Sequence, residues 1–234
     1  MDYGKVLIDG DILAYRAAFA TQEDHWKMSE IKVRELLEYV LYECVSFPEP
    51  SDYEVYLTGQ GNFRYEIAKT YEYKANRKGA TKPKNLPLTR QWLIDNHNAI
   101  VSEGEEADDL IAKEVAKLSP DCVVASIDKD MLQLPCWHFN FSTGEWRHVT
   151  EWEGLKFFYS QILTGDRADN IVGLWKVGPV KASKILKDAN TERELWDACL
   201  KAYDNDHDRV LENARLLWLR REEGELFVPP TAQD

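Results

Sequence analysis

The feature that most constrains this chain is a series of short apolar runs alternating with helical patterns. "KVLID" (5–9) and "YEVYLT" (53–58) read as strands, and "DCVVASI" (121–127) is almost wholly apolar, as a strand covered on both faces must be. Between them lie helical patterns at 11–19, about 29–45 and 88–97, a short strand "AIVS" (99–102), and a further helix opening at "GEEADD". This order predicts an α/β fold, a mostly parallel central sheet flanked by helices on both faces. "WHFNFSTGEWRHV" (137–149) adds an edge hairpin, after which the pattern is helical to about 223. The expected organisation is an α/β unit over 1–150 and a helical unit over 151–234, ending in the tail "FVPPTAQD".

Acids stand where the strands end. Asp9 closes the first strand, Asp128 and Asp130 follow "VVASI", and Glu106, Asp108 and Asp109 open the helix after the third strand. Loops at the carboxyl ends of parallel strands share one edge of the sheet, where ligands bind, so these side chains are expected to converge. A spacing of two points Asp128 and Asp130 the same way on an extended chain, and a spacing of three puts Glu106 and Asp109 on one helix face. Each cluster alone has an ordinary explanation, since acids suit a helix's first turn and "SIDKD" serves as a polar loop. Together they repel, raise one another's pKa and call for a cation. Oxygen-only donors favour Mg²⁺ or Mn²⁺ over zinc or copper, and the five histidines are scattered. Two such ions would activate water and stabilise the leaving oxygen in phosphodiester hydrolysis.

A net charge of −12 argues against nucleic acid until its distribution is considered. Residues 64–90 carry eight Lys/Arg against two acids, with Tyr65, Tyr71 and Tyr73 interleaved. Two readings stand: cations on phosphates with aromatics on bases, or a solvated helix packed by its tyrosines. A second grip is offered by "TGDRADNIVGLWKVGPVKASKIL" (164–186), where Gly178 would let the backbone approach a phosphate beside Lys181. It reads either as a helix–hairpin–helix tracking the duplex backbone or as an ordinary αα-hairpin. Cys44, Cys122, Cys136 and Cys199 form no CxxC pair and are expected as reduced, buried thiols. With no signal-peptide pattern and no membrane-length apolar run, a cytoplasmic, soluble protein is expected, and it is expected to be a monomer.

The ordered motifs "LIDGDILAYRAAFA" (7–20), "FRYEIAKTYEYKANR" (63–77), "EADDLI" (106–111), "SIDKDMLQL" (126–134) and "GDRADNIVGLWKVGPVKA" (165–182) are spread over about three-quarters of the chain. In these the chain resembles the flap-endonuclease type of 5′-nuclease, the family of bacteriophage 5′→3′ exonucleases and of the N-terminal nuclease domain of DNA polymerase I. The resemblance implies a PIN-like core with a C-terminal helix–hairpin–helix region and a two-metal site. Its carboxylates would be Asp9, Glu106, Asp108, Asp109, Asp128, Asp130, Asp166 and Asp169. It also implies a helical arch over that site at 63–90, with Lys74 and Arg77 acting at the scissile phosphate. Arg64, Tyr73 and Lys78 would join them on DNA, and a potassium ion would sit at the hairpin. The implied substrates are DNA 5′ ends or flaps, or RNA in hybrids, cut to a 5′-phosphate and a 3′-hydroxyl. Three features depart from the family: Leu57-Thr58 where an aspartate is common, Lys176 where the hairpin usually begins with glycine, and Val180-Lys181 where a Lys-Thr or Lys-Lys pair is usual. The competing expectations are a non-catalytic branched-DNA-binding protein on the same fold and a PIN-type ribonuclease.

Overall fold

The computed structural model describes residues 4–44 and 52–231. Val45, the expected end of the second helix, and the last three residues of the expected tail lie outside the described residues. The strands are β1 (Lys5–Asp9), β2 (Asp52–Gln60), β3 (Ile100–Glu103), β4 (Cys122–Ala125), β5 (Trp137–Asn140), β6 (Glu145–His148), β7 (Gly165–Asp166) and β8 (Ile171–Val172). The helices are α1 (Gly10–Ala20), α2 (Trp26–Cys44), α3 (Arg64–Ile67), α4 (Leu86–His97), α5 (Ala107–Leu118), α6 (Glu151–Thr164), α7 (Pro179–Leu186), α8 (Glu192–Ala202) and α9 (His207–Leu217). Among the described residues no helix is long and apolar enough to cross a membrane. The chain divides into two compact units, one of residues up to 61 and 81–150, the other of 62–80 and 151 onward.

The first unit is α/β. Its six strands lie in the order β3-β2-β1-β4-β5-β6, parallel throughout except for the antiparallel β5–β6 hairpin. β4 is buried along its whole length and β1 from Val6 onward, which explains why their sequences are nearly unbroken apolar runs. Val6, Ile8, Val55, Leu57, Val123 and Ala125 pack with Leu13, Ala17, Val33, Leu37 and Leu93 of α1, α2 and α4. α5 buries Ala107, Ile111, Ala112 and Val115, the i, i+4, i+5, i+8 stripe of an amphipathic helix, beside β1 and β2. Two glycines set the close approaches. A Cβ on Gly10 would stand 2.7 Å from the Tyr56 carbonyl oxygen, and one on Gly59 would stand 1.9 Å from that of Ser102. The turn leaving β1 can therefore lie against β2, and β2 against β3, only with glycine at these positions.

The second unit is built on α6, α7, α8 and α9. Phe158, Tyr159, Ile162, Leu195, Trp196, Cys199, Val210, Ala214, Trp218 and Phe227 form its core. Segment 62–80, expected within the α/β unit as a helical arch, packs here, with Tyr73 2% exposed in this core. Its helical content is α3 and a single 3₁₀ turn at Ala75–Arg77. The physical reason is local. Lys74 has a left-handed backbone (φ 54°), and hydrogen bonds in both directions tie this segment to the 166–170 turn instead of running along a helix axis. α4 then begins at Leu86, with Pro87 in its first turn. The four cysteines are free thiols, all buried.

Candidate active site

Asp9, the last residue of β1, caps α1 by accepting from the Ile12 N–H at 3.1 Å, and is 3% exposed. Its other oxygen accepts from the Ser126 hydroxyl at 2.7 Å. The same hydroxyl accepts from the Asp128 N–H at 3.0 Å, so one serine ties the ends of β1 and β4 together. Burial, with the charges of Asp11 and Asp128 added, pushes the Asp9 carboxyl up to about 7 against the pull of its two hydrogen bonds. Asp108, half-buried at the second position of α5, is raised well above the usual carboxylate range. Burial is the larger cause, followed by the charges of Asp9, Asp128, Glu106 and Asp109. Asp9, Asp108 and Asp128 thus come from three different elements, and the charge of Asp128 bears on both of the other two.

The other candidate acids of the first unit have internal partners. Asp128 caps a 3₁₀ turn (Lys129–Gln133) and accepts from the Asp130 N–H at 2.8 Å. The chain therefore curls here, and the expected extended-strand alignment of Asp128 with Asp130 does not apply; Asp130 pairs with Lys129 at 2.6 Å. Glu106 and Asp109 cap α5 reciprocally, with the Glu106 N–H donating to Asp109 Oδ2 at 3.1 Å. Glu105 is ion-paired with Lys113. Among the described residues, no three carboxyl, imidazole or thiol groups are already gathered closely enough to hold one ion. The donor set nevertheless fits a hard divalent cation. It is all oxygen, and the charges that raise Asp9 and Asp108 are those a cation would offset.

In the second unit, Asp166 is 4% exposed and its Oδ1 accepts from the N–H groups of Ala168 and Asp169 at 2.6 and 3.3 Å. Asp169 Oδ2 accepts from the Tyr73 hydroxyl at 2.7 Å, and its Oδ1 meets Arg77 at 2.6 Å, with Lys74 Nζ 3.7 Å away. Lys74 and Arg77 are therefore brought together, held by an aspartate of the expected metal set. Lys78 pairs with Glu72 on the surface. Gly178 is exposed at the N-cap of α7, Lys181 is exposed in its first turn, and Trp175 is 85% exposed in the loop before it. Lys176, where the family commonly has glycine, has φ 57°, a conformation glycine adopts more cheaply.

Two expected DNA contacts sit elsewhere. Arg64 is 2% exposed and donates through Nε to the Leu216 carbonyl and through a terminal nitrogen to that of Trp218, both at 2.9 Å, capping the carboxyl end of α9. Tyr73 is buried, with its hydroxyl on Asp169. Both belong to the protein interior here, where each finds a polar partner far along the chain, 152 residues away for Arg64 and 96 for Tyr73. Sequence reasoning missed Ser126, Asp11, Arg90 and the hydroxyl of Thr58. The signal for Ser126 was its place between a buried strand and two acids.

Residues 5–153 match the 5′-3′ exonuclease, N-terminal resolvase-like domain. The 5′-3′ exonuclease of Mycoplasma genitalium is 29% identical over 215 residues, covering 82% of this chain and 74% of that protein. DNA polymerase I of Bacillus subtilis is 29% identical over the same length, there covering 24% of the polymerase. In fold the chain is similar to T5 5′-exonuclease solved with bound zinc ions, with a TM-score of 0.65 at 18% identity, covering 91% of this chain and 88% of that one. It is also similar to the catalytic core of Rad2 solved with a DNA substrate, with a TM-score of 0.53 at 12% identity, covering 90% and 71%. Because the matched domain spans well over half its length, the chain belongs to the 5′-3′ exonuclease family.

Proposed function

We propose that the protein is a metal-dependent 5′-nuclease that hydrolyses DNA phosphodiester bonds at or near a 5′ end, leaving a 5′-phosphate and a 3′-hydroxyl. The observation that carries the reading is the placing of Asp9, Asp108 and Asp128 at the carboxyl edge of a parallel sheet, where burial and then neighbouring charges, that of Asp128 among them in both cases, raise the Asp9 and Asp108 carboxyls. When bound, a pair of Mg²⁺ or Mn²⁺ ions supplies water activation and stabilisation of the leaving oxygen. Asp9, Asp108 and Asp128 would hold the ions, with Glu106, Asp109 and Asp130 beside them, and Asp166 and Asp169 are the further carboxylates of the proposed metal set. Ser126 orients Asp9 and the backbone of Asp128. Lys74 and Arg77 counter charge on the phosphate. Gly178 and Lys181 track the duplex backbone, with a potassium ion at the same loop. The protein acts as a cytoplasmic monomer on 5′ ends or flaps.

A second reading, a branched-DNA-binding protein without effective catalysis, is favoured by Thr58 in place of the usual aspartate and by the absence of a ready-gathered ligand trio among the described residues. One experiment separates the readings: a 5′-labelled flap, a blunt duplex and a matched RNA, each incubated with Mg²⁺ or with EDTA. Mg²⁺-dependent mononucleotides from DNA mean exonuclease, and longer fragments mean endonuclease. Tight binding without cleavage supports the second reading, and cleavage confined to RNA a PIN-type ribonuclease.

A further inference from the structure

β1 and β2 pair in parallel with Asp9 opposite Tyr56, and two residues further along the chain from each, Asp11 in the first turn of α1 and Thr58 on β2 meet just past the end of β1. Asp11 Oδ2 accepts from the Thr58 N–H at 2.8 Å. Arg90, from α4, donates to Asp11 Oδ1 and to the Thr58 carbonyl, the latter at 2.5 Å. Both peptide groups of Thr58 are thereby fixed, one by the acid and one by the guanidinium. The hydroxyl oxygen of Thr58 accepts from the Ala107 N–H at 3.0 Å. Ala107 is the first residue of α5, and its N–H has no partner within the helix. The four residues join α1, α4, β2 and the start of α5 in one chain of hydrogen bonds, with Asp9 two residues before its beginning and Asp108 one residue after its end.

We propose that Arg90, Asp11 and Thr58 form a positioning clamp that sets the spacing between Asp9 and Asp108 and so tunes divalent-cation affinity. This rests on the metal-dependent reading of the site. Within that reading Thr58 is a neutral acceptor. Its hydroxyl at the end of β2 receives the helix N–H, where an aspartate would add a further negative charge beside Asp11. Arg90 keeps Asp11 from adding its full charge to the Asp9, Asp108 and Asp128 group. These are positioning residues that act through the orientation of α5 and of the β1 end, as outer partners of ligating groups commonly do.

The test measures Mn²⁺ binding by the metal-free protein, from the loss of the free-ion electron paramagnetic resonance signal, alongside the Mg²⁺ concentration for half-maximal cleavage. The variants are Thr58→Val, Thr58→Ser, Asp11→Asn and Arg90→Gln, with Asp128→Asn as the reference for direct loss of a ligand. Thr58→Val keeps the side-chain shape and removes the hydroxyl that accepts from Ala107, so it decides the matter if Arg90→Gln fails to fold. We expect Thr58→Val to weaken Mn²⁺ binding by about 10–100-fold and to raise the Mg²⁺ requirement in parallel. The rate at saturating Mg²⁺ should fall much less, and Thr58→Ser should restore the binding. Folded Thr58→Val and Asp11→Asn proteins with Mn²⁺ affinity within twofold of the parent overturn the clamp while leaving the nuclease reading in place. A parent protein that binds no Mn²⁺ overturns the nuclease reading, and the clamp falls with it.

Discussion

The Ser126 hydroxyl donates to Asp9 Oδ2 at 2.7 Å while accepting from the Asp128 N–H, so a single oxygen links two carboxylate-bearing strand ends. A carboxylate buried to 3% exposure keeps its charge only with such donors or with a cation nearby. Two neutral hydrogen bonds do not suffice for Asp9, which lies at about 7 even with them.

That balance makes the metal-free protein sensitive to pH. The Asp9 carboxyl binds its proton more tightly in the folded chain, at about 7, than at its ordinary value of 3.8. Its contribution is greatest below the ordinary value and is lost as pH rises toward 7, a swing of up to roughly 4 kcal/mol. In EDTA, the melting temperature should fall between pH 5 and pH 7.5 more steeply for the parent than for Asp9→Asn. Adding Mg²⁺ above pH 7 should recover the loss in the parent alone. Parallel pH profiles for the two proteins in EDTA would contradict this.

Asp128→Asn keeps an acceptor for the Asp130 N–H, removes the charge and replaces the second oxygen with an amide nitrogen. Cleavage of a 5′-labelled flap should drop by about 10²-fold or more while duplex affinity stays within a few-fold. Single-turnover rates and a filter-binding isotherm on the same preparation check both halves.

Lys74 and Arg77 converge on Asp169, so each cation is positioned before any phosphate arrives. Lys74→Ala or Arg77→Ala should slow single-turnover cleavage by about 10²-fold and weaken DNA binding far less. Equal losses in rate and affinity would instead mark them as simple binding cations.

Arg64 separates structural from DNA-binding roles most sharply. Arg64→Ala leaves the carbonyls of Leu216 and Trp218 without their buried donor and should cost about 2–4 kcal/mol in urea unfolding. Because the side chain is 2% exposed, the salt dependence of DNA binding by the folded fraction should be unchanged. A slope reduced by about one would show a phosphate contact instead.

The sheet was legible because β1 and β4 must be apolar to be buried on both faces, and the acids were legible because they stand where those runs stop. What the pattern could not give was direction. The charge of Arg64 and the ring of Tyr73 look the same in sequence whether they face solvent or core, and their partners Leu216 and Asp169 lie 152 and 96 residues away. Segment 62–80 was misjudged for the same reason. Its helical composition is overridden by hydrogen bonds to the 166–170 turn, which no local propensity encodes. The Asp11–Thr58 contact depends on strand register, fixed only when β1 and β2 pair.

The crowding of acids in "GEEADD" resolves into separate roles, and the first of them makes the last prediction. Glu105 is buried to 4% exposure and ion-paired with Lys113, while its carbonyl accepts from the Ser102 hydroxyl at 2.6 Å. Lys113 lies two turns into α5, so the pair fastens the loop before the helix to the helix body and fixes where Asp108 stands. Removing the cation alone leaves a buried charge: Lys113→Met should destabilise by about 3–5 kcal/mol. Replacing both, as Glu105→Leu with Lys113→Met, should recover most of that loss, since an apolar pair avoids the desolvation cost. If the pair serves only stability, the recovered double variant cleaves DNA at the parental rate and Mg²⁺ requirement. If it also orients α5, stability returns while the Mg²⁺ requirement stays raised, and that second pattern is the one the geometry predicts.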